Sequence, residues 1–97
     1  MEDMHSVITR LRHQMLVHSC LYYRLNVNII SDHSFDAMAK KLAELQVAHP
    51  DIAAECVYHE YFNGFDGSSG YDLPYHLDEV IQRTLRLLNY HNKKGDN

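Results

Sequence analysis

The chain is expected to be mainly α with a small β element: an N-terminal antiparallel helical hairpin, a short hairpin or strand-loop, and a C-terminal helix. Three observations predict this. Met4, Ile8, Leu11, Met15, His18, Tyr22 and Leu25 recur in alternating steps of four and three, the seam of one amphipathic helix. Phe35, Met38, Leu42 and Leu45 form a second such stripe, and Leu77, Val80, Ile81, Thr84, Leu88 and His91 a third. Between the second and third stripes, "ECVYHEYF" is rich in aromatic and β-branched residues and is followed by the turn-rich "NGFDGSSGYDLP".

The elements follow in order. The first helix spans residues 4–25, with His18 as the polar member of its seam. "NVNII" breaks the period, since asparagines and β-branched residues favour an extended connection. Ser31 is placed as the N-cap of the second helix, with Asp32 and Asp36 near the favourable positive end of its dipole. That helix runs over 32–48 and stops at "HPD", because His49 precedes a proline. The two helices pair antiparallel, since both stripes need burial and the connection is short. A strand in "VYHEYF" turning back into "YDLPY" supplies the β element, with Tyr58, Tyr61, Phe62, Phe65 and Tyr71 as core or cross-strand packing. Leu85 and Leu87 widen the apolar face of the last helix.

One domain is expected over residues 1–97: the hairpin over 1–51, a strand and Gly-rich acidic loop over 52–76, a helix over 77–92 and a fraying tail over 93–97. A chain of 97 residues holds one modest core but not a two-lobed enzyme. No apolar run approaches the roughly 18 residues of a membrane span, and "MEDMHSVITRLRHQ" lacks a signal-peptide layout. Cys20 and Cys56 have no C-x-x-C spacing, so free thiols are the default. A cytoplasmic protein, in a bacterial or phage-infected cell, is the expectation.

The net charge of −4 conceals an asymmetry. From Asp51 to Glu79 the chain carries Asp51, Glu55, Glu60, Asp66, Asp72, Asp78 and Glu79 with no Lys or Arg, whereas residues 10–24 hold three arginines and no acid. Direct nucleic-acid binding needs a sustained cationic face, which the acidic half opposes. Glu55, Glu60, Asp66, Asp72, Asp78 and Glu79 are instead candidates for contact with a basic protein surface.

Catalytic and metal patterns are thin. The eight histidines show no H-x-x-x-H on one helix and no H-E-x-x-H, so no metal site is expected. "DGSSGYDLPYHL" has Tyr71 and Leu77 where a calcium loop requires glycine and glutamate. Ser68 and Ser69 lack a G-x-S-x-G elbow. The loop over 63–74 is long and specific in composition, as an ordered functional loop would be, but also as a hairpin turn would be.

Four segments, "ITRLRHQ", "HSCLYYRL", "SDHSFDAM" and "KKLAELQVAHPD", stand in one register without gaps over about residues 8–51. Together they resemble the small N-terminal helical domain (Ia) of the NAD-dependent DNA ligases, which recognises the nicotinamide mononucleotide (NMN) half of NAD. The resemblance implies that Tyr22 lies beside the nicotinamide nucleotide and Tyr23 contacts it, that Asp32 and Asp36 hydrogen-bond its polar groups, and that Phe35 packs on the nicotinamide ring. The chemistry is consistent with the residue types: a flat cationic ring is attracted to aromatic faces, and ribose hydroxyls or a carboxamide suit carboxylate acceptors. The chain departs from the family pattern at Asn26 and Asn28 in the connection, and Phe35 lacks a phenolic hydroxyl.

Ligases also need an adenylation lysine in a K-x-D-G setting. "GFDG" at 64–67 places Gly64 where that nucleophile would stand, so no enzyme is expected. The expected function is a non-catalytic binding protein that docks on a protein partner with a basic surface through its acidic half. Stand-alone chains of this kind look like those of small phage genomes, where an inhibitor of a host enzyme or defence complex is one form. Residual nicotinamide-nucleotide recognition accompanies that reading. The alternative is a stand-alone NMN- or NAD-binding protein, with NMN or NAD as ligand and no cofactor required.

Overall fold

The computed structural model describes residues 3–68 and 72–95. Helix α1 (Met4–Ser19) is capped by Asp3, whose Oδ1 accepts the Ser6 N–H at 2.8 Å. It continues directly into a π-helical turn, Cys20–Arg24, closed by the Leu25 N–H donating to the Cys20 carbonyl at 3.1 Å. Asn26 then adopts the left-handed region at φ 55° and ends the helical course, with the Val27 N–H returning to the Leu21 carbonyl at 2.9 Å.

The π turn matters for the site. Its wider winding breaks the 3.6-residue phase, so burial passes to Cys20 and Leu21 while Tyr22 is turned outward at 44% exposure. The seam read from the sequence thus holds through Met15 and not at Tyr22.

Helix α2 (Asp32–Ala48) begins at Ser31, whose Oγ accepts the Ser34 N–H at 3.1 Å, and ends at His49. Pro50 opens α3 (Pro50–Glu55), where its missing N–H is unneeded. Arg12 meets Gln46 while Tyr22 meets Phe35, so α1 and α2 run antiparallel. The hairpin is as expected.

The small β element is not. Among the described residues there is no strand, and the predicted "VYHEYF" strand instead contains α4 (His59–Phe62). Tyr58, in the left-handed region at φ 69°, reverses the chain between α3 and α4. A lone strand would leave its backbone groups unpaired, and the would-be partner carries Pro74, which has no N–H to offer. Local bonds satisfy the backbone instead: the Phe62 N–H donates to the Tyr58 carbonyl at 3.1 Å and the Asn63 N–H to the His59 carbonyl at 2.8 Å. The reversal also lets Cys56 and Phe62 both enter the core. Tyr71 and Ser69 lie outside the described residues.

Helix α5 (Asp78–Gly95) packs on α1 and the π turn, burying Val80 and Thr84; the Thr84 hydroxyl donates to the Val80 carbonyl at 2.7 Å. It extends past the expected end at residue 92, while Leu85 and His91 are exposed. One apolar cluster joins Ile8, Met15, Leu42, Ala53, Phe62, Leu73 and Val80, drawn from α1 to α5 and the loop before α5.

Arg12 is fully buried beside that cluster. Its Nε donates to Gln46 Oε1 at 2.9 Å, its Nη1 to the carbonyls of Cys56 (3.1 Å) and Val57 (3.0 Å), and its guanidinium lies 5.5 Å from the centre of the Phe62 ring. Burial pushes its pKa down. Gln46 Nε2 donates in turn to the Phe62 carbonyl at 3.1 Å, so the pair ties α1, α2 and the α3–α4 joint together.

Candidate functional site: an aromatic and carboxylate cleft

The π turn and the first turn of α2 face each other across the short connection. Tyr22 and Tyr23 meet edge to face with centroids 4.8 Å apart, and Tyr22 lies near-parallel to Phe35 at 6.3 Å. Asp32 and Asp36, one helical turn apart on α2, are both exposed. The structure gathers all five sequence-predicted ligand residues, Tyr22, Tyr23, Asp32, Phe35 and Asp36, around one cleft of about 230 Å³. A sixth residue, Ser68, joins them on its lining. Behind Tyr22 and Phe35, a recess of only about 10 Å³ against His18 and Leu21 leaves room for no more than about one water. Burial lowers the pKa of the half-buried His18.

The lining is aromatic on one side and anionic on the other, with no Lys or Arg among its described members. Such a site attracts a flat cation and accepts hydrogen bonds from hydroxyl or amide groups. The sequence did not single out Ser68 as a ligand residue. The length and glycine content of its loop were the available signal.

Comparison with known proteins bears on this same region. The profile of the DNA ligase-like, N-terminal NAD+-binding domain matches residues 1–55, more than half of the 97. The chain belongs to this family. It is 46% identical over 46 residues to a DNA ligase of Parabacteroides distasonis, covering 47% of this chain and 7% of that protein. It is 43% identical over 42 residues to a DNA ligase of Roseiflexus castenholzii, covering 43% and 6%. To a DNA ligase of Leptospira biflexa it is 38% identical over 52 residues, covering 54% and 8%. The chain thus spans less than a tenth of the length of these relatives, and the matched region is their NAD+-binding segment rather than the adenylation region. No solved structure matches.

Glu55, the last residue of the family match, and Glu60, Asp66, Asp72, Asp78 and Glu79 beyond it are all exposed, spread over α3, α4, the loop and the first turn of α5. Asp66 is engaged locally: the Ser68 side chain and the Ser68 N–H, the latter at 2.9 Å from Oδ1, both hydrogen-bond it and together hold its pKa below the usual carboxylate value. It also borders an apolar groove of about 750 Å³ walled by Ala43, Val47, Pro50, Ala53, Phe62 and Phe65, with Glu44 on the lining as well. Among the described residues, no group of three His, Cys, Asp or Glu side chains could hold a metal ion. Cys20 and Cys56 are free and buried, and no described helix is long and apolar enough to cross a membrane.

Proposed function

We propose that the chain is a non-catalytic binder of the nicotinamide mononucleotide moiety, taken as NMN or as that half of NAD, and that Tyr22, Tyr23, Asp32, Phe35 and Asp36 hold it. The observation that carries this is the convergence of those five side chains on one cleft in the family-matched part of the chain. The cationic ring rests against the Tyr22 and Phe35 faces, and Asp32 and Asp36 accept from ribose hydroxyls or the carboxamide N–H. At about 230 Å³ the cleft is smaller than the roughly 300–1,000 Å³ that encloses a drug-sized ligand. It therefore covers only part of such a ligand, the nicotinamide and ribose end, with the adenosine half of NAD left outside.

The chain carries no K-x-D-G, and Gly64 stands in the lysine position of "GFDG", so adenylyl transfer through that motif has no nucleophile. Incubation with labelled NAD should leave no covalent adenylate on the protein. The direct test is calorimetry of the chain against NMN and NAD, with Asp32→Asn/Asp36→Asn as the variant. Expected is binding to both ligands, weakened at least tenfold in the double variant while helicity is retained. Absence of binding to either ligand would refute the reading.

The exposure of Glu55, Glu60, Asp66, Asp72, Asp78 and Glu79 supports a second reading, that the acidic half docks on a basic protein surface, an inhibitor of a host enzyme being one form. It requires binding that weakens as salt rises, survives Asp32→Asn/Asp36→Asn, and fails when Glu60, Asp66 and Asp72 are neutralised.

A further inference from the structure

One wall of the cleft comes from outside the family-matched residues 1–55. Ser68 belongs to the loop after α4, yet lines the same cleft as Tyr22 and Asp36. Its place there is secured on both sides. Gly67 is buried against α2 at φ +81°, so closely that an added Cβ would lie 3.0 Å from the Ala39 carbonyl oxygen and 3.2 Å from Lys40 Cα. Ahead of it, Phe65 meets the fully buried Phe62 edge to face at 5.4 Å, and its N–H donates to the Phe62 carbonyl at 3.0 Å. Asp66 then turns the chain by accepting the Ser68 N–H at 2.9 Å. Further along, Tyr75 stacks on Tyr23 at 5.7 Å and 23°, and its N–H donates to the carbonyl of buried Leu73 at 2.8 Å. The segment after the family match is thus laid against both elements that carry the cleft.

The chemistry of the lining gives Ser68 a distinct role. Ionised Asp32 and Asp36 can only accept, so they serve the N–H groups of a carboxamide or the O–H groups of a ribose. A carboxamide oxygen needs a donor, and the Ser68 hydroxyl is the non-aromatic donor on the described lining; in the free chain it bonds Asp66, and it serves the ligand by rotating away while Asp66 keeps the Ser68 N–H. We propose that Ser68 is a further nucleotide-binding residue and that the loop over 65–68 is a second wall, seated by Gly67, which lets this chain hold the mononucleotide with its own residues. This rests on the nucleotide reading above.

The test uses the whole chain with NMN as the probe. Ser68→Ala should weaken binding roughly five- to tenfold, the contribution of one neutral hydrogen bond. Its melting temperature should change little, because Ser68 is exposed and the bond it loses to Asp66 is solvent-facing, and Ser68→Thr, which keeps the hydroxyl, should restore most of the affinity. Gly67→Ala should weaken NMN binding by tenfold or more, since it strains a positive φ and forces the loop off α2. In a two-dimensional NMR titration, the Gly67 and Ser68 amides should shift with the same midpoint as those of Asp32 and Phe35. If NMN binds in an Asp32- and Asp36-dependent way, but Ser68→Ala stays within twofold and the Ser68 amide does not move, this inference is wrong and the nucleotide reading stands. If the unaltered chain binds no NMN, both fall together.

Discussion

Arg12→Met is predicted to destabilise the fold by about 3 kcal/mol, as the outcome of opposed effects. The substitution keeps much of the buried stem but leaves Gln46 Oε1 and the Cys56 and Val57 carbonyls without their donor. An acceptor stranded in that way costs about 1–3 kcal/mol, so three give roughly 3–9 kcal/mol. Two effects reduce this. The buried guanidinium no longer has to be desolvated, which refunds several kcal/mol, and the apolar groove lined by Arg12 gives water a route to some of the freed acceptors. Urea unfolding followed by far-ultraviolet circular dichroism would measure the difference. With a slope of about 1 kcal/mol per molar urea for a chain this small, the midpoint should fall by about 2–3 M with the slope unchanged. Arg12→Lys should recover little, because one ammonium cannot reproduce the planar fork that reaches α2 and the α3–α4 joint together. A methionine variant within about 0.5 kcal/mol of the parent, or more stable, would refute the view that Arg12 is the joint between these elements.

Asn26→Ala should cost about 1 kcal/mol in the same assay, since alanine tolerates φ 55° less well than asparagine, whereas Asn26→Gly should be neutral or slightly stabilising. Ser31→Ala removes the α2 cap and should cost about 1 kcal/mol. Stability should also fall as the pH drops from about 7.5 to about 5.5. Burial, aided for His13 by nearby Arg83, depresses the folded pKa of His13 and His18 below the ordinary 6.5, so below 6.5 the unfolded chain binds more protons than the folded one. Their contribution is complete above 6.5 and is lost as the pH falls through 6.5 toward the folded values. A urea midpoint independent of pH across that window would contradict it.

The sequence by itself determined the features that depend on neighbours along the chain. The apolar periods of α1 and α2, the Ser31 cap and the stop before Pro50 are local, because helix spacing, side-chain capping and the missing proline N–H act within a few residues. The family segments are equally local, so Tyr22, Tyr23, Asp32, Phe35 and Asp36 could be named together as ligand candidates before their shared cleft was known. Tertiary structure decided the rest. "VYHEYF" has strand composition, but among the described residues there is no second strand to pair with it, and Tyr58 instead takes a left-handed turn, with Cys56 and Phe62 in one core. Arg12 reads as a surface cation until α2 and the α3–α4 joint bring three acceptors around it. Tyr22 reads as a seam residue until the π turn rotates it outward. Ser68 reaches the cleft only because Gly67, lacking a Cβ, lies flat on Ala39 some 28 positions earlier in the chain. Contacts at that separation depend on how whole elements pack, and no local spacing encodes them.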